Sequence, residues 1–342
     1  MSGGDAGWGD EVRVLLTGAF GNVGLPTLRE LLQHGHHVRC FDVPSRCSRK
    51  LARGFGNQIE IIWGDIRDPG RVHETVAGQD AIVHNAALLP PASEKSPELA
   101  AAVNVGGTRS LIAAAEAAPS PPVVIFTSSV SVFGRTQHLE PPRRASDPVV
   151  ATDHYSRHKL ECEAMLRASR LRWLILRVGV ALEPGTRAGD PEALRLLFDM
   201  ALDNRMEYVH PADVARAQVQ ALECPEVWGK VLLIGGGPSC QIRQRDLFEA
   251  FFAALGLGEV PAAAFGQQSY YTDWMDTEES QRRFRYQRYS FSDYRRDMHW
   301  RMRHVRRVLW PLRPLVRRYL LGYSSSWAAR SSVRGVASTP VE

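Results

Sequence analysis

Tyr155 and Lys159 stand four residues apart in ATDHYSRHKLECEAML, a stretch with helical spacing. At i and i+4 on a helix, the two side chains share one face about one turn apart. That proximity matters because a tyrosine of ordinary pKa, about 10, is a poor base at neutral pH. An adjacent ammonium favours the phenolate and brings the phenol closer to the pH at which it exchanges protons. The chemistry implied is proton transfer to or from a substrate hydroxyl or carbonyl while hydride moves to or from a nicotinamide. Upstream, Ser129 ends the apolar run PVVIFTSS, where a hydroxyl can hold and polarise the same oxygen. Thr127, Ser128 and Ser131 lie beside it and compete for that role. Asn104, in VNVGGT, falls on a predicted helix, where its amide holds a water, anchors a lysine relay, or serves as a packing or capping residue.

These groups need a scaffold. Short apolar runs at 12–18, 36–42, 59–65, 80–87, 122–129 and 172–179 alternate with helical stretches, and another run follows at 229–237. Continuous apolar strands separated by helices imply a parallel sheet covered on both faces. The predicted fold class is therefore α/β, a doubly wound parallel sheet of the Rossmann type. Its first strand runs directly into TGAFGNVG, which a helix from Leu25 to His34 follows. Gly18, Gly21 and Gly24 are spaced three apart, unlike GxGxxG, yet they permit a tight turn whose N–H groups approach a pyrophosphate. Asp42 closes the second strand about twenty residues on, where a carboxylate accepts from ribose hydroxyls and repels a 2′-phosphate. That predicts NAD as cofactor. Arg46 and Arg49 follow closely and keep NADP as the alternative. Asp65, in GDIRD, ends the third strand, where it faces an adenine or simply closes a turn.

The strand–helix rhythm weakens between Gly179 and Arg205 and again from Pro238 to Asp297. The expected division is a disordered leader (1–10), a dinucleotide-binding domain (11–178 with 206–237) and a small substrate lobe (179–205 with 238–297). A basic amphipathic segment and disordered tail complete it (298–342). A chain of 342 residues with 44% hydrophobic content suits this plan and excludes wholesale disorder. No apolar run approaches the ~18 residues of a membrane span, and no secretory leader is visible. Cys40, Cys47, Cys162, Cys224 and Cys240 lack CxxC or His-paired spacing, which predicts free thiols, no metal site and a cytoplasmic location.

Charge is uneven. From Arg282 onward there are 15 arginines against three acids, so the net +5 conceals a mildly acidic body. WRMRHVRRVLWPLRPLVRRYLLGY places Val305, Val308, Leu312, Leu315 and Tyr319 at three-to-four spacing between arginines. Three readings stand: peripheral membrane contact through 298–321, a helix packed on the protein with a solvated basic face, or an oligomer contact. No recognition fold accompanies the arginines, so no nucleic-acid partner is expected.

TGAFGNVG, GDIRD, HNAA, NVGGT, SSVSVFG, YSRHK, LRVG and YVHPADVARA follow one another over about residues 11–255. In that order they resemble the extended short-chain dehydrogenase/reductases, the branch that includes the NAD-dependent epimerase/dehydratase family. The resemblance implies Tyr155 as catalytic acid/base, Lys159 as the group that lowers its pKa and binds the nicotinamide ribose, Ser129 as donor to the substrate oxygen, and Asn104 in support. It implies a cofactor lined by Gly18, Gly21, Asn22, Val23, Gly24, Asp42, Asp65, Ile66 and Ala86, and a homodimer. Val130 and Ser131 stand where dehydratases and decarboxylases of this branch carry an acid. No Asn follows Arg177 to grip a sugar nucleotide diphosphate. The expected activity is hydride transfer on a secondary alcohol or ketone of a small, non-nucleotide, lipid-like molecule. A sugar epimerase that keeps its cofactor bound and a non-catalytic dinucleotide sensor are the alternatives.

Overall fold

The chain's apolar runs become strands, with ends close to those the sequence predicts. In a computed structural model describing residues 11–184 and 191–327, they form β1 (Arg13–Thr17), β2 (His37–Asp42), β3 (Glu60–Trp63), β4 (Ala81–His84), β5 (Val123–Ser129) and β6 (Trp173–Val178). After them come β7 (Val180–Ala181), β8 (Arg205–Val209), β9 (Lys230–Ile234) and β10 (Gln241–Arg243). Seven strands make one parallel sheet in the order β3-β2-β1-β4-β5-β6-β9. The order reverses between β1 and β4, and ligands of doubly wound folds bind at such a switch point, beyond the carboxyl ends of the strands.

Alternate residues of each strand enter two cores. Leu16, Val83, Ile125 and Leu174 pack with helices Gly24–Gln33 and Pro211–Leu222. Leu15, Ile82, Phe126 and Ile175 pack with helices Pro69–Val76, Gly107–Ala117 and His154–Ala168. Each such fully buried side chain contributes about 1.5–3 kcal/mol, which makes the register expensive to shift.

Two boundaries differ from the sequence reading. Residues 206–209 do not join the seven-stranded sheet, although Val209 is buried in its core: β8 pairs with β7 and β10 in a separate three-stranded sheet. The edge of β6 is already taken by β9, and Met206 and Tyr208 pack instead with Ile242 and Tyr294 in the lobe. Nor does the lobe end at 297. Helix Phe291–Leu309 buries Phe291, Tyr294 and Met298, and helix Arg313–Leu321 buries Leu320 and Leu321. Within the expected tail, Ser324 is buried and its hydroxyl donates to the Ala264 carbonyl. The leader at 1–10 and the tail from 328 lie outside the described residues.

Candidate active site

The helix His154–Ala168 starts where two sets of acceptors meet it. Asp153 caps it, taking the Ser156 N–H at 2.6 Å, while Ser156 Oγ accepts from the Asp153 N–H at 3.2 Å. Glu94 accepts the His154 and Tyr155 N–H groups, each at 3.1 Å, placing an anion at the positive end of the helix. One face is buried: Tyr155, Lys159, Cys162, Glu163 and Leu166, at helical spacing. Glu163 is fully enclosed. It accepts from Ser128 Oγ at 2.6 Å and from the Arg177 guanidinium at 3.0 and 2.8 Å, which ties the helix to β5 and β6. That pair and the Arg167 guanidinium hold its carboxyl below the ordinary range, against the burial that would raise it.

Tyr155 and Ser129 meet at the end of β5, where both line the same cleft. Lys159 Nζ donates to the Thr127 carbonyl at 2.6 Å and lies 5.6 Å from the centre of the Tyr155 ring. Burial pushes the Lys159 ammonium down to about 8. Burial also pushes the Tyr155 phenol well above its ordinary value, opposed by the Ser129 hydroxyl. Burial thus works against the lowered phenol pKa expected from YxxxK.

The carboxyl ends of β1, β2 and β4–β6 enclose a cleft of about 480 Å³. Gly18, Gly21, Asn22, Val23, Gly24, Asp42, Asp65, Ile66, Ala86, Tyr155 and Lys159 all line it, as does Ser129. The glycines are required by space. Gly18 has φ +65°, and a Cβ there would lie 2.9 Å from the Ala86 backbone; one on Gly24 would strike the Gly18 carbonyl. No side chain caps helix Gly24–Gln33; the Leu25 N–H is taken by the Gly21 carbonyl at 3.0 Å and Pro26 has none, which leaves the Gly24 N–H at the helix start for an anion. Asp42 accepts from the Phe20 and Val43 N–H groups at 2.8 and 2.7 Å, and burial raises its carboxyl. An uncapped amide, a cradle with no room for a Cβ and a carboxylate at the end of β2 fit a dinucleotide. Asp65, which lines the cleft, also makes the turn that is one of its two expected roles. Both its oxygens accept from Arg67 at 2.6–3.0 Å, so the salt bridge closes the turn.

A second cavity of about 300 Å³ shares Ser129 and Tyr155 with the cleft and opens into the lobe. Leu194, Leu197, Leu247, Phe248, Tyr294 and Met298 are among its walls, and no charged residue lines it among those described. Its polar groups are hydroxyls. Ser131 Oγ is buried without a hydrogen-bond partner, and Tyr270 and Tyr271 stack at 3.8 Å.

A profile of the NAD dependent epimerase/dehydratase family matches residues 14–235. The chain belongs to that family. It spans about half the length or less of the first curated relatives it matches. These are an uncharacterized protein of Sinorhizobium fredii (30% identity, 60% of this chain, 52% of that one) and a Mycobacterium tuberculosis 3 beta-hydroxysteroid dehydrogenase/Delta 5-->4-isomerase (38%, 40% and 37%). Among solved structures, the dTDP-glucose 4,6-dehydratase of Streptomyces venezuelae superposes with TM-score 0.73 at 23% identity, over 85% of this chain and 97% of that one. That likeness establishes the shared fold.

In this epimerase/dehydratase-family chain, Asn104 lies outside the cleft lining, within a π-helical turn, Ala102–Gly106. Its side chain accepts from the Leu88 N–H at 2.7 Å and donates to the Leu88 carbonyl at 3.0 Å. Both ends of the amide thus fix the segment after β4. The Asn104 carbonyl accepts from Thr108 Oγ1 at 2.6 Å, and Thr108 Oγ1 in turn meets His84 Nε2 at 3.0 Å. His84 Nδ1 meets Thr17 Oγ1 at 2.7 Å, and Thr17 Oγ1 accepts from the Ala86 N–H at 3.2 Å. With His84 pushed down to about 3 by burial, the ring is neutral, and this network assigns its proton to Nε2. Sequence reasoning missed this chain, the Glu94 anchor and the cavity walls. HNAA pointed to the neighbourhood of His84; nothing marked Glu94 or Tyr270 in advance.

Proposed function

We propose that the protein is an NAD-dependent oxidoreductase that interconverts a ketone and a secondary alcohol on an apolar, lipid-like small molecule. The observation that carries this reading is the uncharged cavity, which meets the dinucleotide cleft only at Ser129 and Tyr155 among its polar side chains. A sugar nucleotide would have to bury a diphosphate there with no cation from the described residues, at a cost of several kcal/mol. The steroid named for the mycobacterial relative is an example of the substrate class.

NAD binds with its pyrophosphate at the Gly18–Gly24 turn and its ribose hydroxyls on Asp42. When bound, the reduced cofactor supplies the hydride that adds to the carbonyl carbon. Ser129 donates a hydrogen bond to the carbonyl oxygen, and Tyr155 gives that oxygen its proton as the C=O π bond opens. The resulting phenolate is stabilised by the Lys159 ammonium. Asn104 acts as a positioning residue for the 85–88 segment. Ser131 offers its unpaired hydroxyl to a second substrate oxygen.

Calorimetric titration of the NAD complex tests this. A 3-keto steroid or long-chain ketone is expected to bind and UDP-glucose to give no heat; tight UDP-glucose binding would overturn the reading.

A further inference from the structure

We propose that the outward face of the two C-terminal helices is a docking surface for an anionic lipid bilayer. Both helices are amphipathic in an unusual sense. One face is buried in the lobe through Phe291, Tyr294, Met298, Leu320 and Leu321. The exposed face carries, among Arg301, His304, Arg307 and Arg318, the large apolar or aromatic Trp300, Val308, Leu315 and Tyr319, which are 62%, 73%, 64% and 64% exposed. Trp300, His304 and Val308 repeat at four, and Leu312, Leu315 and Tyr319 at three and four, so each helix presents an outward stripe. A soluble helix has no reason to keep such a stripe in water.

The charges beside the stripe are of one sign. Arg301, Arg303, Arg306, Arg307, Arg313, Arg317 and Arg318 fall between residues 298 and 327, and no Asp or Glu does. Only Arg301 has a carboxylate partner among the described residues, Glu183 at 2.9 Å. The guanidiniums of Arg303 and Arg313 lie over the indoles of Trp300 and Trp310, at 3.9 and 3.2 Å. Indoles and cations side by side suit the headgroup level of a bilayer, with the aliphatic residues reaching the acyl boundary and the arginines meeting phosphates. No helix among the described residues is long and apolar enough to cross a membrane, so the contact is peripheral.

Other occupants fit less well. A second copy of this face across a two-fold axis would set uncompensated arginines against each other. A nucleic-acid backbone would satisfy the arginines but leave Val308 and Leu315 in water. The inference goes beyond the proposed reaction and stands without it. The same helix carries Tyr294 and Met298 in the cavity wall, so docking brings that wall to the lipid surface.

The test is flotation of the full chain with phosphatidylcholine vesicles, with and without about a quarter phosphatidylglycerol, at low and high salt. The protein is expected to float only with the anionic vesicles and to be released by salt. Arg307→Gln and Arg318→Gln should each weaken partition about fivefold, and Val308→Ser with Leu315→Ser should weaken it at unchanged charge. Unchanged circular dichroism and NAD binding establish that the variants are folded. Absence of flotation, equal flotation of variants and parent, or retention on DNA in place of vesicles would overturn the proposal. So would a concentration-dependent dimer that Arg307→Gln disperses and vesicles do not compete for.

Discussion

The two hollows that share Ser129 and Tyr155 are built in opposite ways. The cofactor cleft is held by buried polar pairs: Glu163 with Arg177, Thr17 with His84 and Thr108, and Asn85 with Thr127 and Gln218 at 2.5–2.8 Å. The lobe cavity is walled by aliphatic and aromatic side chains from segments far apart in the chain. Polar clamps are directional and fail if displaced, so they suit a site whose reacting atoms must be fixed. Apolar walls impose shape alone and tolerate exchange of side chains of similar volume. On the proposed function, the chemistry resides in the cleft and the selectivity in the lobe, with the shared hydroxyls as the junction.

That division can be broken or sharpened by substitution. Tyr155→Phe removes the proton donor from both hollows, and turnover should fall by about 10²–10⁴ while NAD affinity is unchanged. Near-normal turnover would take Tyr155 out of the mechanism. Glu163→Ala strands the Arg177 guanidinium in the cleft's support and should cost about 3–5 kcal/mol in urea unfolding. A loss under about 1 kcal/mol would mean the clamp is not what braces the helix. Met298→Ala, confined to the cavity, should raise KM for an apolar substrate about 10–200-fold and leave NAD binding alone. An equal loss of NAD affinity would show that the two hollows are not separable.

The smallest effect is in pH. Because burial pushes Lys159 down to about 8, its ammonium is lost as pH rises through that value. The support it gives the phenolate goes with it, so kcat/KM should show an alkaline limb with its midpoint near 8. Rates that hold level to about pH 10 would place the Lys159 charge outside the reaction.

The contrast also explains what could be read in advance. The cleft comes from contiguous motifs whose spacing is dictated by a turn or a helix period, so TGAFGNVG, Asp42, Ser129 and YSRHK locate it without coordinates. The lobe comes from short strands such as Val180–Ala181 and from helices whose apolar faces say only that they are buried, not against what. The strand β8 was not read from the sequence, and its partners are chosen by which strand edges are free in the folded chain. For Tyr155, YxxxK reveals the neighbouring charge but not the depth of burial, which pushes the phenol up. Asn104 showed its place on a helix, while its two bonds to Leu88 depend on a loop no motif describes.

The most direct test of the central claim is turnover with purified enzyme and reduced cofactor. A 3-keto steroid, a long-chain ketone, UDP-glucose and dTDP-glucose would each be followed by nicotinamide absorbance and product chromatography. The account predicts stoichiometric oxidation of NADH with formation of the apolar alcohol, and no change in either sugar nucleotide. Epimerised or dehydrated sugar nucleotide, produced without net oxidation of NADH, would contradict it.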